Sequence, residues 1–220
     1  FGTGQYLSQN DVSTTGQTQT WYGIIVQSGT TGTAPAINDP AAWRTSSTSP
    51  LVQRFIISEQ EPSSTSLGGR VVSSGTPGDM NGKSGWYVDL ISPVEGAQGE
   101  RMVTPSQFQG SLLLGTSIIP EATDPCSPSG AGWIMAINPF SGTNPTSPFF
   151  DLNGDGVINS SDTINGQPSA GVGFTSSPNN PIFVGNTMLT SFDNATVSSI
   201  ATAGNVGILQ RLSWREFFEH

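Results

Sequence analysis

Basic side chains are scarce in this chain of 220 residues, which has seven Lys and Arg residues against sixteen Asp and Glu residues. The formal net charge is -9, and the few basic residues are scattered along the chain rather than clustered. Nucleic acids and anionic membrane surfaces are bound by basic patches. The charge pattern therefore excludes both as expected partners.

Histidine and cysteine each occur only once, as His220 and Cys126. One histidine at the very end of the chain provides no basis for Ser/His/Asp or Cys/His catalysis, or for histidine-ligated zinc. A lone cysteine forms no internal disulfide and no thiolate metal site. We interpret Cys126 as a small side chain beside a turn, and the alternative is a bridge to a segment outside this chain.

Long apolar runs are also missing: none approaches the roughly 18 residues that a membrane span needs. The chain has no amino-terminal signal peptide, and it begins at Phe1 in a pattern typical of the middle of a strand, which predicts a fragment of a longer protein. An acidic, lysine-poor composition rich in Ser, Thr and Asn favours an extracellular or periplasmic location.

Helical patterns are absent too, because no segment longer than one turn keeps apolar residues at helical spacing between caps. The apolar residues fall instead in short runs rich in β-branched and aromatic side chains and bounded by Gly, Pro, Ser and Asn, which predicts an all-β chain. The predicted strands are 19–26, 53–59, 85–91, 110–119, 132–138, 181–185 and 207–214.

Two of these strands repeat one another. Residues 85–90 and 132–137 both begin with Gly-Trp and then alternate, and Trp86 and Trp133 are 47 residues apart. A period in the forties is what a four-stranded propeller blade requires, whereas an immunoglobulin-like sandwich repeats turns but not whole blades. The pattern favours a β-propeller fragment of about four or five blades, with both tryptophans packed in the core.

Three long segments interrupt the strand pattern, at 27–52, 60–83 and 139–180. Loops of this length are usually functional, ordered by a ligand, or disordered. The third contains DLNGDGVINSSD at 151–162, which has the spacing of an EF-hand calcium loop with Gly156 at the sharp turn. We therefore interpret 1–220 as part of one propeller domain with a calcium-loop insertion around 139–180.

The predicted cofactor is calcium, because a hard cation takes six to eight oxygen ligands and this loop supplies them at positions 1, 3, 5, 7, 9 and 12. Ile158 at position 8 is predicted to point into the core. Asp rather than Glu at position 12 predicts weak affinity, roughly 10⁻⁴ M. The predicted ligands are Asp151, Asn153, Asp155, the carbonyl oxygen of Val157, Asn159 and Asp162.

The alternative for this loop is an Asx-rich turn that satisfies its own backbone without an ion, although three converging carboxylates would then repel one another. The sequence TINGQP at 163–168 ends any exiting helix within about a turn. A helix-loop-helix calcium sensor and a full dockerin module are therefore not predicted.

Five other acids are candidates for the carboxylate pair that glycoside hydrolysis needs. Their spacing selects no two of them, so solvated surface positions are predicted and no enzymatic activity is expected. These acids are Asp79, Asp89, Glu95, Glu100 and Asp124.

Segments in one order along the whole chain resemble a known family. FGTGQYL at 1–7 and QTWYGI at 19–24 resemble the family patterns FGTG-[KR]-Y and Q-[ST]-x-YG-[IL], with Gln5 in place of the usual basic residue. Further matching segments are 85–90, 99–103, 124–126, 133–135 and 211–216. The chain is thereby similar to the type IV pilus tip-associated adhesins of the PilC/PilY family.

The resemblance implies a carboxy-terminal, quinoprotein-like modified β-propeller at or near the pilus tip, with calcium bound in Asp-rich loops. It implies export through the periplasm and an extracellular role in attachment, virulence, pilus biogenesis and calcium-dependent control of pilus extension and retraction, which drive twitching motility. The implied partners are minor pilins and host or abiotic surfaces. Two alternatives remain: a quinone- and calcium-dependent dehydrogenase-like propeller, and a scaffold module that docks to a partner.

Overall fold

The computed structural model describes residues 1–4, 18–25, 44, 50–121 and 129–204. Every element whose bounds are described is a strand, which confirms the predicted all-β class. No helix within these ranges is long and apolar enough to cross a membrane. The predicted strand 207–214, as well as Asp124, Cys126 and His220, lies outside the described residues.

The strands of the described residues are short, as expected for a chain rich in Gly, Pro and Asn. They are β1 (Thr20–Ile24), β2 (Leu51–Arg54), β3 (Ile56–Gln60), β4 (Gly68–Val72), β5 (Gly85–Asp89), β6 (Gln107–Gln109), β7 (Leu112–Glu121), β8 (Ser129–Ile137), β9 (Thr163–Ile164), β10 (Gln167–Pro168), β11 (Gly171–Phe174), β12 (Ile182–Val184), β13 (Thr187–Ser191) and β14 (Val197–Ala201). The predicted run 53–59 is divided at Phe55, so that β2 and β3 join different sheets.

The largest sheet is antiparallel, with the strand order β3-β4-β11-β8-β7-β6. β7 pairs with β8 from Leu113 opposite Ile137 to Glu121 opposite Ser129. The predicted runs 110–119 and 132–138 are therefore adjacent strands. β11 lies between β4 and β8 and joins the two halves of the sheet.

Strands β4 and β11 fall within 60–83 and 139–180, the segments predicted to be insertions. Both are rich in glycine, GGRVV and GVGF, so neither shows the apolar alternation typical of a strand. A Cβ on Gly69 would lie 2.6 Å from Cδ1 of Ile164, and a Cβ on Gly173 would lie 2.6 Å from Cζ3 of Trp133. Glycine in these strands lets neighbouring side chains pack onto the backbone.

Three smaller sheets complete the described fold. In the first, β5 is central, antiparallel to β1 and parallel to β2. The strands β12, β13 and β14 form an antiparallel meander, and β9 pairs with β10 through the turn residues Asn165 and Gly166. These sheets of six, three, three and two strands differ from the uniform four-stranded blades that the sequence period predicted.

The core is built on tryptophan, as predicted for Trp86 and Trp133, which are 0% and 1% exposed. Trp86 packs edge-on against Trp21, with ring centroids 5.6 Å apart. A second cluster packs Met188 of the β12–β14 meander against the six-stranded sheet and includes Phe149 and Phe150. These two phenylalanines lead directly into the predicted metal loop and hold its first residue against the core.

Candidate metal loop

Residues 151–162, which we call the Asp151 loop, are anchored at their first residue. The backbone N–H of Asp151 donates to the carbonyl oxygen of Ala201 at 3.0 Å, and Ala203 N–H donates to the carbonyl oxygen of Phe149 at 2.8 Å. The loop therefore begins on a short antiparallel pairing with the end of β14. It ends at β9, whose hairpin with β10 takes the place of an exiting helix, as predicted.

Asp151 organises the first half of the loop. Its side chain accepts two backbone hydrogen bonds, from Gly154 N–H to Oδ1 at 2.7 Å and from Gly156 N–H to Oδ2 at 2.8 Å. Gly154 and Gly156 have φ angles of 74° and 81°, which side chains with a Cβ rarely adopt. Glycine at these two positions therefore lets the chain curl around the Asp151 carboxylate.

Asp162 closes the loop from its other end. Its Oδ1 accepts the backbone N–H of Leu152 at 2.9 Å, and its Oδ2 accepts that of Asn159 at 2.9 Å. Asp162 is 0% exposed and Asp151 is 4% exposed. Positions 1 and 12 are thus both buried carboxylates, and each is held by two backbone donors.

The predicted ligands between Asp151 and Asp162 lie nearer the solvent, and their polar groups form hydrogen bonds within the loop. Asp155 accepts the backbone N–H of Val157 at 2.7 Å and the side-chain amide of Asn153 at 3.1 Å. Asn153 Oδ1 accepts the Asp155 N–H at 3.0 Å, and Asn159 Oδ1 accepts the N–H of Ser161 at 2.7 Å. This is the self-satisfied Asx-rich arrangement that the sequence left as the alternative.

The donor set nevertheless fits a calcium ion, because every predicted ligand atom is a carboxylate, amide or carbonyl oxygen. Burial of a carboxylate is unfavourable without a counter-charge or hydrogen bonds, and the ion pairs seen among the described residues join arginines to acids other than Asp151 and Asp162. No three His, Cys, Asp or Glu residues in these ranges are grouped to hold a metal. Asp155 is instead bonded to the Val157 N–H and the Asn153 amide.

One side of the Asp151 loop borders an open cleft of about 690 Å³. The loop contributes Gly156, Val157 and Ile158 to the cleft wall, and the rest of the wall includes residues 145–149 and 201–204. Ile158 is half-buried in the cleft wall rather than in the core, where the EF-hand pattern had placed it. Because the residues that line the cleft are uncharged, it suits a neutral surface better than a charged one.

Of the acids considered for glycoside hydrolysis, three of the described ones each pair with a different arginine. Asp79 binds Arg54 through two hydrogen bonds of 2.6 and 3.1 Å, and these bonds lower its pKa to about 2. Asp89 pairs with Arg44 at 2.5 Å. Glu100 is buried against Arg70 at 2.7 Å, so the prediction of a solvated surface position is wrong for this residue.

A pair of carboxyl groups that the sequence did not single out lies on and beside β3. The Glu59 side chain is fully buried and binds the Arg70 guanidinium and the Ser92 hydroxyl. The pKa of Glu61 is raised to about 7, first by a hydrogen bond with Glu59 and then by burial. Their spacing of two residues, Glu59 in β3 and Glu61 just after it, was the signal, because side chains two apart in extended backbone lie on the same face.

Comparison with known proteins identifies relatives, although no family model matches the chain. A type IV pilus biogenesis factor PilY1 homolog of Xylella fastidiosa is 42% identical over 217 residues, 98% of this chain and 16% of that protein. The type IV pilus biogenesis factor PilY1 of Pseudomonas aeruginosa is 29% identical over 170 residues, 73% of this chain and 14% of that protein. The chain thus spans about a sixth of the length of these relatives.

A solved structure supports the fold. The crystal structure of the Pseudomonas aeruginosa PilY1 C-terminal domain matches 92% of this chain with a TM-score of 0.67 at 20% identity, and the match covers 40% of that domain's chain. This similarity confirms the predicted β-propeller-like fold. Together with the end-to-end sequence similarity, it shows that the chain belongs to the PilC/PilY family.

Proposed function

We propose that this chain is the calcium-binding, β-propeller-like part of a type IV pilus biogenesis factor that acts outside the cell, at the pilus tip. The observation that carries the proposal is the 42% identity across 98% of the chain to a protein named as such a factor. Because the chain spans 16% of that relative, it would contribute one domain to a larger protein that also attaches to surfaces.

Calcium bound by the Asp151 loop would control that role. An ion that binds the folded loop with a Kd of about 10⁻⁴ M stabilises it by roughly 1.4 kcal/mol at about 1 mM calcium. This free energy is enough to order one loop, but it is small beside the total stability of a domain. Calcium therefore acts as a switch on pilus extension and retraction rather than as a requirement for folding.

The switch would act through the cleft beside the loop. Val157 supplies both a predicted ligand, its carbonyl oxygen, and an exposed apolar side chain on the cleft wall. A loop that closes around calcium therefore moves part of this wall. We propose that a neutral surface of a minor pilin docks there, and that the acids held in ion pairs with Arg44, Arg54 and Arg70 have structural rather than catalytic roles.

The test uses the full-length protein in the bacterium that encodes it. The double variant Asp151→Asn with Asp155→Asn keeps the size of both side chains but removes two charges, and Asp193→Asn, an exposed acid in another turn, is the matched control. We expect the double variant to make twitching and surface piliation insensitive to a calcium chelator, while the control responds as wild type does. An unchanged response of the double variant would contradict the calcium switch.

Deletion of the region that corresponds to 1–220 tests the pilus role itself. We expect the bacterium to lose surface pili and twitching, with secretion of the remaining protein checked by immunoblot. Normal piliation by a secreted deletion variant would contradict a part in pilus biogenesis, whatever the loop binds.

A further inference from the structure

The Asp151 loop contains an Asn-Gly pair at positions 3 and 4, Asn153 and Gly154. Asn153 is exposed, and a Cβ placed on Gly154 would have no atom within 4 Å. In such a pair, the glycine nitrogen reaches the side-chain carbonyl carbon of the asparagine easily, because no side chain shields it. Attack by this nitrogen is the first step of asparagine deamidation.

Three hydrogen bonds hold groups that can assist this reaction next to Asn153 and Gly154. The attacking N–H of Gly154 donates to Asp151 Oδ1 at 2.7 Å. The carbonyl oxygen under attack, Asn153 Oδ1, accepts the backbone N–H of Asp155 at 3.0 Å, and the leaving amide, Asn153 Nδ2, donates to Asp155 Oδ2 at 3.1 Å. A base, an oxyanion donor and a partner for the leaving group therefore surround one side chain.

We propose that Asn153 is a site of self-catalysed deamidation in the calcium-free loop. The Gly154 nitrogen forms a bond to Cγ of Asn153 as its proton passes to the Asp151 carboxylate. The Cγ–Nδ2 bond then breaks, and Nδ2 leaves as ammonia with that proton. The resulting succinimide is hydrolysed by water at either carbonyl, which gives aspartate or isoaspartate without any oxidation or reduction.

The two products change the loop in opposite ways. Aspartate at position 3 adds a carboxylate to the predicted ligands, and calcium affinity rises with ligand charge in loops of this type. Isoaspartate adds a methylene to the main chain between positions 3 and 4, which disturbs the spacing. Bound calcium would protect Asn153 by drawing Asp151 and Asn153 oxygens to the ion, an effect that rests on the function proposed above.

The chain carries its own controls in two other Asn-Gly pairs, Asn81-Gly82 and Asn165-Gly166. Both glycines have positive φ angles, 70° and 75°, and open space at the Cβ position, as Gly154 has. Within the described ranges, neither glycine donates its N–H to a carboxylate, and the Asn165 amide donates to the hydroxyl of Ser58 at 2.8 Å. Asn81 is the closer control, because Asn165 itself has a φ of 51° and so differs from Asn153 in backbone conformation as well.

The test is a time course of the 220-residue chain in chelator, with deamidation at each Asn-Gly pair measured by peptide mass spectrometry. General-base assistance gives about 10²–10⁴-fold in enzymes, and in an exposed loop we expect Asn153 to react about tenfold faster than Asn81 and Asn165. The variant Asp151→Asn should lower the deamidation rate of Asn153 to that of Asn81 and Asn165. The variant Asp155→Asn keeps Asp151 and the backbone N–H of residue 155, and it should slow Asn153 less. Equal rates at all three sites in the wild type would overturn the proposal without need of a variant.

A parallel time course with millimolar calcium separates this proposal from the proposed function. If Asn153 reacts fast in chelator and equally fast in calcium, the result supports deamidation and counts against calcium binding. Slow reaction in chelator overturns deamidation, and calorimetry on the same sample then decides calcium binding independently. Deamidation of Asn153 that is fast in chelator and slow in calcium supports both deamidation and calcium binding.

Discussion

Trp133 lies over Gly173 of the neighbouring strand, so that a Cβ at Gly173 would meet the indole Cζ3 at 2.6 Å. The two residues are direct partners in the register of β8 and β11. The guanidinium carbon of Arg70 lies 3.9 Å from the centroid of the same indole. The tryptophan can fill this part of the core because residue 173 has no side chain.

Gly173→Ala should therefore lower the free energy of unfolding by about 1–3 kcal/mol, because the new methyl group displaces the ring. Gly171→Ala in the same strand is the control, since its Cβ would meet mainly the flexible Met135 side chain, at 3.1 Å. Urea denaturation of both variants measures the difference. Equal losses would show that strand conformation, and not the Trp133 contact, makes glycine necessary.

The buried ion pair of Arg70 and Glu100 gives a second prediction. Glu100 Oε1 accepts hydrogen bonds from Arg70 Nη1 at 2.7 Å and from the Ser117 hydroxyl at 2.5 Å. Glu100→Ala leaves Arg70 Nη1 and the Ser117 hydroxyl without their buried acceptor, while Glu59 still pairs with the guanidinium, and this should cost about 1–3 kcal/mol of stability. Removal of the exposed acid Glu95 by Glu95→Ala should stay within about 0.5 kcal/mol, and a similar loss in both variants would contradict the role of burial.

Glu61 predicts how stability changes with pH. Its pKa is raised from 4.5 to about 7 by the hydrogen bond with Glu59, by burial and by the charge of Glu59, against an opposing effect of Arg70. Between these two values the folded chain keeps a proton that the unfolded chain has released, so stability falls as pH rises through this window. Urea denaturation across the window should show this fall in the wild type and a flatter profile in Glu61→Gln. An identical slope in the variant would assign the effect to other groups.

Asp155 tests calcium binding without disturbing the core, because it is exposed. Calorimetry should find a site near 10⁻⁴ M in the wild type and binding at least tenfold weaker in Asp155→Ala, which loses one carboxylate ligand. Millimolar calcium should raise the melting temperature of the wild type by about 3–6 °C and slow hydrogen exchange at 151–162. Asp193→Ala should behave as wild type, and unchanged exchange in the wild type would rule out the site.

Strands with strong apolar alternation could be predicted from the sequence, and those built on glycine could not. β1 and β5 lie within predicted runs, β7 and β8 overlap theirs, and Trp86 and Trp133 are buried as expected. β4 and β11 were missed because the side chains that cover them, Ile164 and Trp133, belong to other segments. The periodicity of a strand depends on its own side chains, so it does not reveal a glycine that is covered by a side chain from another segment.

The position and boundaries of the Asp151 loop could also be predicted, because glycine and Asx spacing determines them locally. The hydrogen bonds within the loop could not be predicted, because each Asx oxygen can either accept a backbone N–H or coordinate a cation. The burial of Glu100 was missed for a related reason. Its partner Arg70 is 30 residues away in sequence, and nothing in the local pattern around Glu100 identifies that arginine.

The place of β11 between β4 and β8 has a consequence for the order in which the chain folds. β8 pairs with β7 by a local hairpin, whereas β11 reaches β4 across about a hundred residues, Gly171 opposite Arg70. Contacts this distant form late, so β4 and β8 each expose an unpaired edge until Gly171–Phe174 arrives. While the chain folds, these two edges are open to mispairing, and a four-residue strand with two glycines closes them.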